Sequence, residues 1–231
     1  IGGLIAFTTS ILAIIMIFCF GAVSSSIIIN DTIESSYQNL LLITEKLDMM
    51  TQNIENHAIL ILSNDYVQEL LIEIEKGNVN IFDDIKNVYS YLYNMVKPEF
   101  VSNISIYTAD LTKENYMVNK FAYQKGEKAD NSFIESFYQK KVFDEWRLNT
   151  KYKFAVNQNE DSPYTLSFYK KVYNKRTVEF LGAVELMVNE NIISDLYKNI
   201  ELGDSGYYFI IDGSGWVVSH PKKDQLGLDI S

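Results

Sequence analysis

The sequence predicts an α+β chain, with one long helix followed by an antiparallel sheet and its flanking helices. Three observations carry this. Residues 31–75 contain no Pro or Gly and repeat their apolar positions at helical spacing. After Pro98 the apolar period changes to two, with runs rich in Ile, Val, Tyr and Thr. Those runs follow one another through turns rather than through regular crossover helices, which argues for an α+β sheet and against a parallel βαβ one.

From Ile1 to Asn30 there is no Asp, Glu, Lys or Arg. A run of that length exceeds the roughly 20 residues that cross a bilayer core. It is also too long for the apolar region of a secretory signal, although Ala22 to Ser26 resembles a weak cleavage site. Residues 1–29 are therefore expected to form an uncleaved transmembrane helix. The flank that follows is acidic, with Asp31 and Glu34 before the first lysine at Lys46. We expect a cell-membrane protein with the residues after about 30 on the extracytoplasmic side.

Residues 30–63 are expected to form a stalk helix. Ile33, Tyr37, Leu40, Thr44, Leu47, Thr51, Ile54, Ala58 and Ile61 step alternately by four and three, the spacing of a heptad seam. A second line, Ile43, Leu47, Met50, Ile54 and Ile61, widens the apolar face. Such a helix can pack along its own domain and also pair with a second copy, so a homodimer is expected. Asp65 is a candidate N-cap for the next helix, and Gly77-Asn78 a stop. Residues 81–95 read as another helix, closed by Pro98.

Strands are expected at 101–108 and 116–118, a helix at 131–146, and a short strand at 152–156. Two long strands at 164–173 and 177–188 meet at a turn over Asn174 to Arg176. A helix at 189–199 has Asn189 as its cap. Finally, 206–212 and 216–220 form a hairpin across Gly213-Ser214-Gly215. The run Tyr207 to Ile211 reads as buried core.

The formal net charge of −10 argues against nucleic-acid and anionic-lipid partners. The single cysteine, Cys19, leaves no disulfide for the exported part. No nucleophile elbow, phosphate loop or HExxH helix is present, so no catalytic residue is assigned. His57 falls beside the seam and His220 at a strand corner. Asp204, Asp212 and Asp224 are too scattered for a calcium loop, and no His/Cys set suits zinc. No metal or cofactor is expected.

Two stretches resemble a known architecture. The first is Asn103 to Asp110 (NISIYTAD), after a helix and Pro98. It is similar to the first strand of the membrane-distal lobe in YesM-like sensor histidine kinases. The second is Gly203 to Asp212 (GDSGYYFIID) with Gly213 to Pro221 and Gly227. It resembles the opening hairpin of the membrane-proximal lobe in double Cache sensor domains. Phe180 to Asn189 is similar to the last distal strand. The resemblance implies PAS-like antiparallel-sheet lobes: a membrane-distal Cache lobe over 64–202 and the start of a membrane-proximal lobe over 203–231. It implies an extracytoplasmic ligand-sensing domain of a bacterial transmembrane receptor, a sensor histidine kinase above all. A chemotaxis receptor or a cyclic-dinucleotide enzyme is the alternative output. A membrane-tethered adhesion domain without a pocket is the rival class.

By the same resemblance a ligand lies in the distal lobe, between the sheet and the segments covering it. The partner is a small molecule or a solute-binding protein. Such a pocket needs aromatic walls and a few directed polar groups. Trp146 offers a wall and Arg147 a planar fork donor. Tyr107, Tyr164 and Tyr169 offer phenols on strands. Glu185 is a carboxylate inside an apolar strand, either solvated at a sheet edge or paired. The amino-acid-binding members carry Arg before, and Tyr after, the tryptophan. Here Asp144 and Arg147 stand at those places, so the resemblance does not extend to amino-acid specificity.

Overall fold

The computed structural model describes residues 2–77, 82–96, 100–113, 116–119, 123–125, 132–150, 164–200, 202 and 206–231. Without Pro or Gly to interrupt it, the backbone beyond residue 31 continues a single helix, α1 (Gly2–Ser63). Before residue 27, side chains are described only at positions 16, 20, 21, 24 and 25. Among the described residues no helix is long and apolar enough to cross a membrane. The apolar run expected to form an anchor falls mainly on side chains outside that set.

The expected seam divides. Ile43, Met50, Ile54, Ala58 and Ile61 are buried, with Leu47 partly so. Ile33, Tyr37 and Leu40 are exposed. The first group rests on the domain, while the helix below it stands clear of that core. One contact there is the Tyr208 hydroxyl, which donates to the Ser36 carbonyl at 2.9 Å.

Helix α2 (Asp65–Glu75) is capped by Asn64, not by Asp65 as expected. Asn64 Oδ1 accepts from the backbone N–H groups of Tyr66 at 3.0 Å and Val67 at 3.3 Å. Asp65 is the first helical residue instead, and its carboxylate pairs with Lys175. Gly77, at φ +77°, ends the helix, a conformation that favours glycine. Replacing Asn64 by alanine is expected to cost about 1 kcal/mol. Urea denaturation would measure it, and an unchanged midpoint would contradict the capping role.

Helix α3 (Phe82–Val96) follows, then a six-stranded antiparallel sheet. Its strands are β1 (Asn103–Thr108), β2 (Tyr116–Asn119), β3 (Tyr123–Lys125), β4 (Asp144–Thr150), β5 (Tyr164–Tyr173) and β6 (Phe180–Asn189). Their order is β3-β2-β1-β6-β5-β4, so β1 and β6 are the central pair. One face packs on α1, α2 and α3 through Ile104, Ile106, Phe168, Leu186 and Val188. The other carries α4 (Ser132–Gln139), which buries Ile134 and Phe137 against Tyr107, Tyr169 and Ala183.

The helix expected over 131–146 is a correction. It ends at Gln139, and Asp144 onward pairs with β5 along its whole length. Cross-strand pairing overrides the local helical pattern there. The strand expected at 152–156 lies outside the described residues.

Asn189 caps the short helix α5 (Glu190–Ser194), as expected, accepting from the Asn191 N–H at 2.8 Å. The last hairpin is β7 (Ile210–Ile211) and β8 (Val217–Ser219). Its first strand is not the buried run expected. Tyr207, Phe209 and Ile211 are exposed, whereas Tyr208 and Ile210 pack on the core. A two-stranded ribbon has one packed face, so alternate residues turn outward.

Candidate ligand-binding face

Register defines the face beneath α4. Residues directly opposite in an antiparallel pair share a side of the sheet. One row reads Ser105, Glu185, Tyr169 and Glu145 across β1, β6, β5 and β4. The next reads Asn103, Met187, Ser167 and Arg147, and a third Asn189, Thr165 and Asn149.

Glu185 sits at the centre of this face, on central strand β6, at 0 % exposure. It is therefore not a solvated edge residue. Tyr107 Oη donates to its Oε2 at 2.7 Å and Tyr169 Oη to its Oε1 at 2.6 Å. Asn149 Nδ2 lies 2.8 Å from both Ser167 Oγ and Tyr169 Oη, and 3.3 Å from Glu185 Oε1. A carboxylate so deeply buried requires such donors, because its desolvation is otherwise prohibitive.

An aromatic wall borders the network. Phe133 of α4 meets the Tyr169 ring at 4.8 Å between centroids, and the Arg147 guanidinium carbon lies 4.0 Å from the Phe133 centroid. Arg147 itself is exposed, which places it at the rim. Lys171 is buried, and its ammonium donates to the carbonyls of Lys140 at 2.6 Å and Tyr138 at 3.1 Å. Burial pushes its pKa down. Tyr138 donates to the Thr108 carbonyl at 2.9 Å, and burial, helped by Glu75, pushes its phenol up.

Trp146 is on the other face. Its ring packs on Phe168 at 5.0 Å, and its indole N–H points to Glu55 of α1 at 3.3 Å. Consecutive strand residues point to opposite faces, so Trp146 and Arg147 do not line one surface side by side. Tyr164 takes the same parity as Phe168 along β5 and so also lies on the helix-packed face. Tyr107, Tyr169 and Glu185 converge, with Arg147 at their edge.

Compared with known families, the sequence matches the Cache domain over residues 24–231. The chain belongs to the Cache domain family. No curated protein sequence matches it. Among solved structures, this Cache domain is similar to the ligand-binding domain of the Campylobacter jejuni chemoreceptor Tlp3 in complex with 4-methylisoleucine. That likeness has 12 % identity and a TM-score of 0.56, and covers 87 % of this chain and 74 % of that one. The extracellular domain of the histidine kinase candidate vpHK1S-Z8 is similar at 14 % identity and TM-score 0.54, covering 86 % and 73 %. A domain of a sensory box/GGDEF family candidate from Vibrio parahaemolyticus follows at 13 % identity and TM-score 0.52, covering 85 % and 74 %. At such identities these likenesses establish the Cache fold.

Sequence reasoning missed Asn149, Ser167 and Ser105. Each stands two residues from a residue it did single out (Arg147, Tyr169 and Tyr107), and strand period two is the signal that finds them.

Proposed function

We propose that this Cache domain is the extracytoplasmic ligand-sensing part of a bacterial transmembrane receptor, with its ligand on the Glu185 face. The observation that carries this is a fully buried carboxylate on a central strand, held by two phenols and a carboxamide, with an arginine and a phenylalanine at its rim. A purely structural sheet has little reason to bury a charge there when an apolar residue serves packing as well or better. That some solved relatives hold amino acids or their analogues favours a small molecule over a partner protein.

In this reading residues 1–29 anchor the chain, 30–63 form the stalk, 64–202 the distal lobe and 203–231 the start of the proximal one. The exposed Ile33, Tyr37 and Leu40 of α1 are where a second copy pairs. A bound ligand biases two arrangements of that pair by its difference in affinity for them. The output is a histidine kinase by resemblance of the stalk and first strand. A chemoreceptor output is the second reading, supported by the likeness to Tlp3.

A thermal-shift screen of the chain against amino acids, sugars, carboxylates and nucleobases tests the proposal. A ligand of the folded state raises the melting midpoint by mass action. At least one compound is expected to do so, and Arg147→Ala to diminish the shift. No shift from any compound, with the protein folded, overturns the reading.

A further inference from the structure

We propose that the Glu185 face takes a neutral, polyhydroxylated ligand, a sugar or polyol, one of whose hydroxyls bridges Glu185 and Ser105. This rests on the preceding reading of the face as a ligand site. The observation behind it is an unpaired buried donor. Ser105 is 2 % exposed and stands directly opposite Glu185 in the β1–β6 register. Its hydroxyl has no hydrogen-bond partner among the described residues. Thr165 Oγ1 is the other such buried side-chain atom among the described residues. It stands on the same face, directly opposite Asn149. The hydrogen-bonded network thus runs from Glu185 to Asn149, and at each end the neighbouring register position carries a hydroxyl left unmatched.

Buried polar groups in native proteins are nearly always paired, so two orphans bordering one network call for a partner that the described residues do not supply. The chemistry of that partner follows from what it must satisfy. Glu185 only accepts, whereas the Ser105 hydroxyl has both a hydrogen to give and lone pairs to offer. An ammonium group donates to both and leaves the serine hydrogen unmatched. A carboxylate accepts from the serine and is repelled by Glu185. A hydroxyl donates to Glu185 and accepts from Ser105 at once. The described cations of this face do not change the balance. Lys171 is held by two carbonyls beneath α4, and Arg147 lies at the exposed rim against Phe133.

The test is a titration of the 231-residue chain with two panels, followed by melting temperature. One panel holds glucose, galactose, inositol and sorbitol, and the other holds the common amino acids. At least one neutral polyol is expected to raise the midpoint. Ser105→Ala is expected to weaken that compound roughly tenfold, the loss of one buried hydrogen bond. The same variant is expected to melt, without ligand, at or above the parent's temperature, because it removes a buried hydroxyl with no partner among the described residues. If polyols leave the midpoint unmoved while an amino acid raises it, and Glu185→Gln removes that effect, the hydroxyl inference is overturned and the ligand face stands. Polyol binding unaffected by Ser105→Ala also overturns the inference, a buried water then being the serine's partner. Silence of the polyol panel overturns the inference, and only silence of the full screen, carboxylates and nucleobases included, overturns the reading beneath it.

Discussion

Replacing Glu185 by alanine is expected to destabilise the chain by roughly 4 kcal/mol, because it takes the shared acceptor from two buried phenols at about 1–3 kcal/mol each. For a chain of this size that lowers the melting midpoint by about 8–16 °C. The donors are Tyr107, Tyr169 and Asn149, and the two phenols sit at 4 % exposure beneath α4, where water cannot readily replace the carboxylate. Glu185→Gln keeps the shape and one acceptor oxygen, and is expected to cost less than half as much. Thermal melts of the two variants decide this. Equal, small losses would mean that the phenols find other acceptors and that Glu185 does not organise the face.

The second large effect is expected at the junction between β6 and the last hairpin. Glu190 is 0 % exposed and accepts from Ser219 Oγ at 2.6 Å and from the His220 N–H at 3.2 Å. Its other oxygen pairs with the Lys223 ammonium, which also donates to Ser194 Oγ at 2.9 Å. Tyr197, buried beside them, shares a 2.6 Å hydrogen bond with Ser219, and burial pushes its phenol up. Lys223→Met leaves a buried carboxylate without its counter-charge, at a cost of roughly 3 kcal/mol. Adding Glu190→Gln to that variant is expected to recover much of the loss, since the two positions act as one unit. Hydrogen exchange at Val217 to His220 provides the local readout, with faster exchange in Lys223→Met and partial recovery in the double variant. No change in either variant would make the pair a solvated surface contact. The junction lies five residues beyond Glu185 on the same chain segment.

The sequence makes the element order legible, and the reasons lie in particular residues. The Pro- and Gly-free stretch before Gly77 reads correctly as helix, and Asn189 as a cap, because both depend on local backbone chemistry. Glu185 stands out as a charge in an apolar strand, which is a signal that survives without coordinates. Apart from the α2 cap, which falls on Asn64 rather than Asp65, what fails depends on long-range pairing. The segment after Gln139 joins β5 instead of continuing α4, and no local pattern encodes that partner. Trp146 and Arg147 look like joint site residues only while their segment is read as helix. As strand neighbours they part to opposite faces, Trp146 to α1 and Arg147 to Phe133. Likewise, the lower seam of α1 is apolar by spacing yet exposed, since spacing does not reveal where the domain ends along the helix.

The most direct test of the central claim, that the Glu185 face binds a small molecule, is isothermal titration of the screened compound into the parent chain and into Glu185→Gln. The account predicts saturable, one-to-one binding that weakens at least roughly tenfold in the variant, as expected for losing a hydrogen bond to a buried charged group. Equal affinity in the two proteins would contradict it and place the ligand elsewhere on the chain.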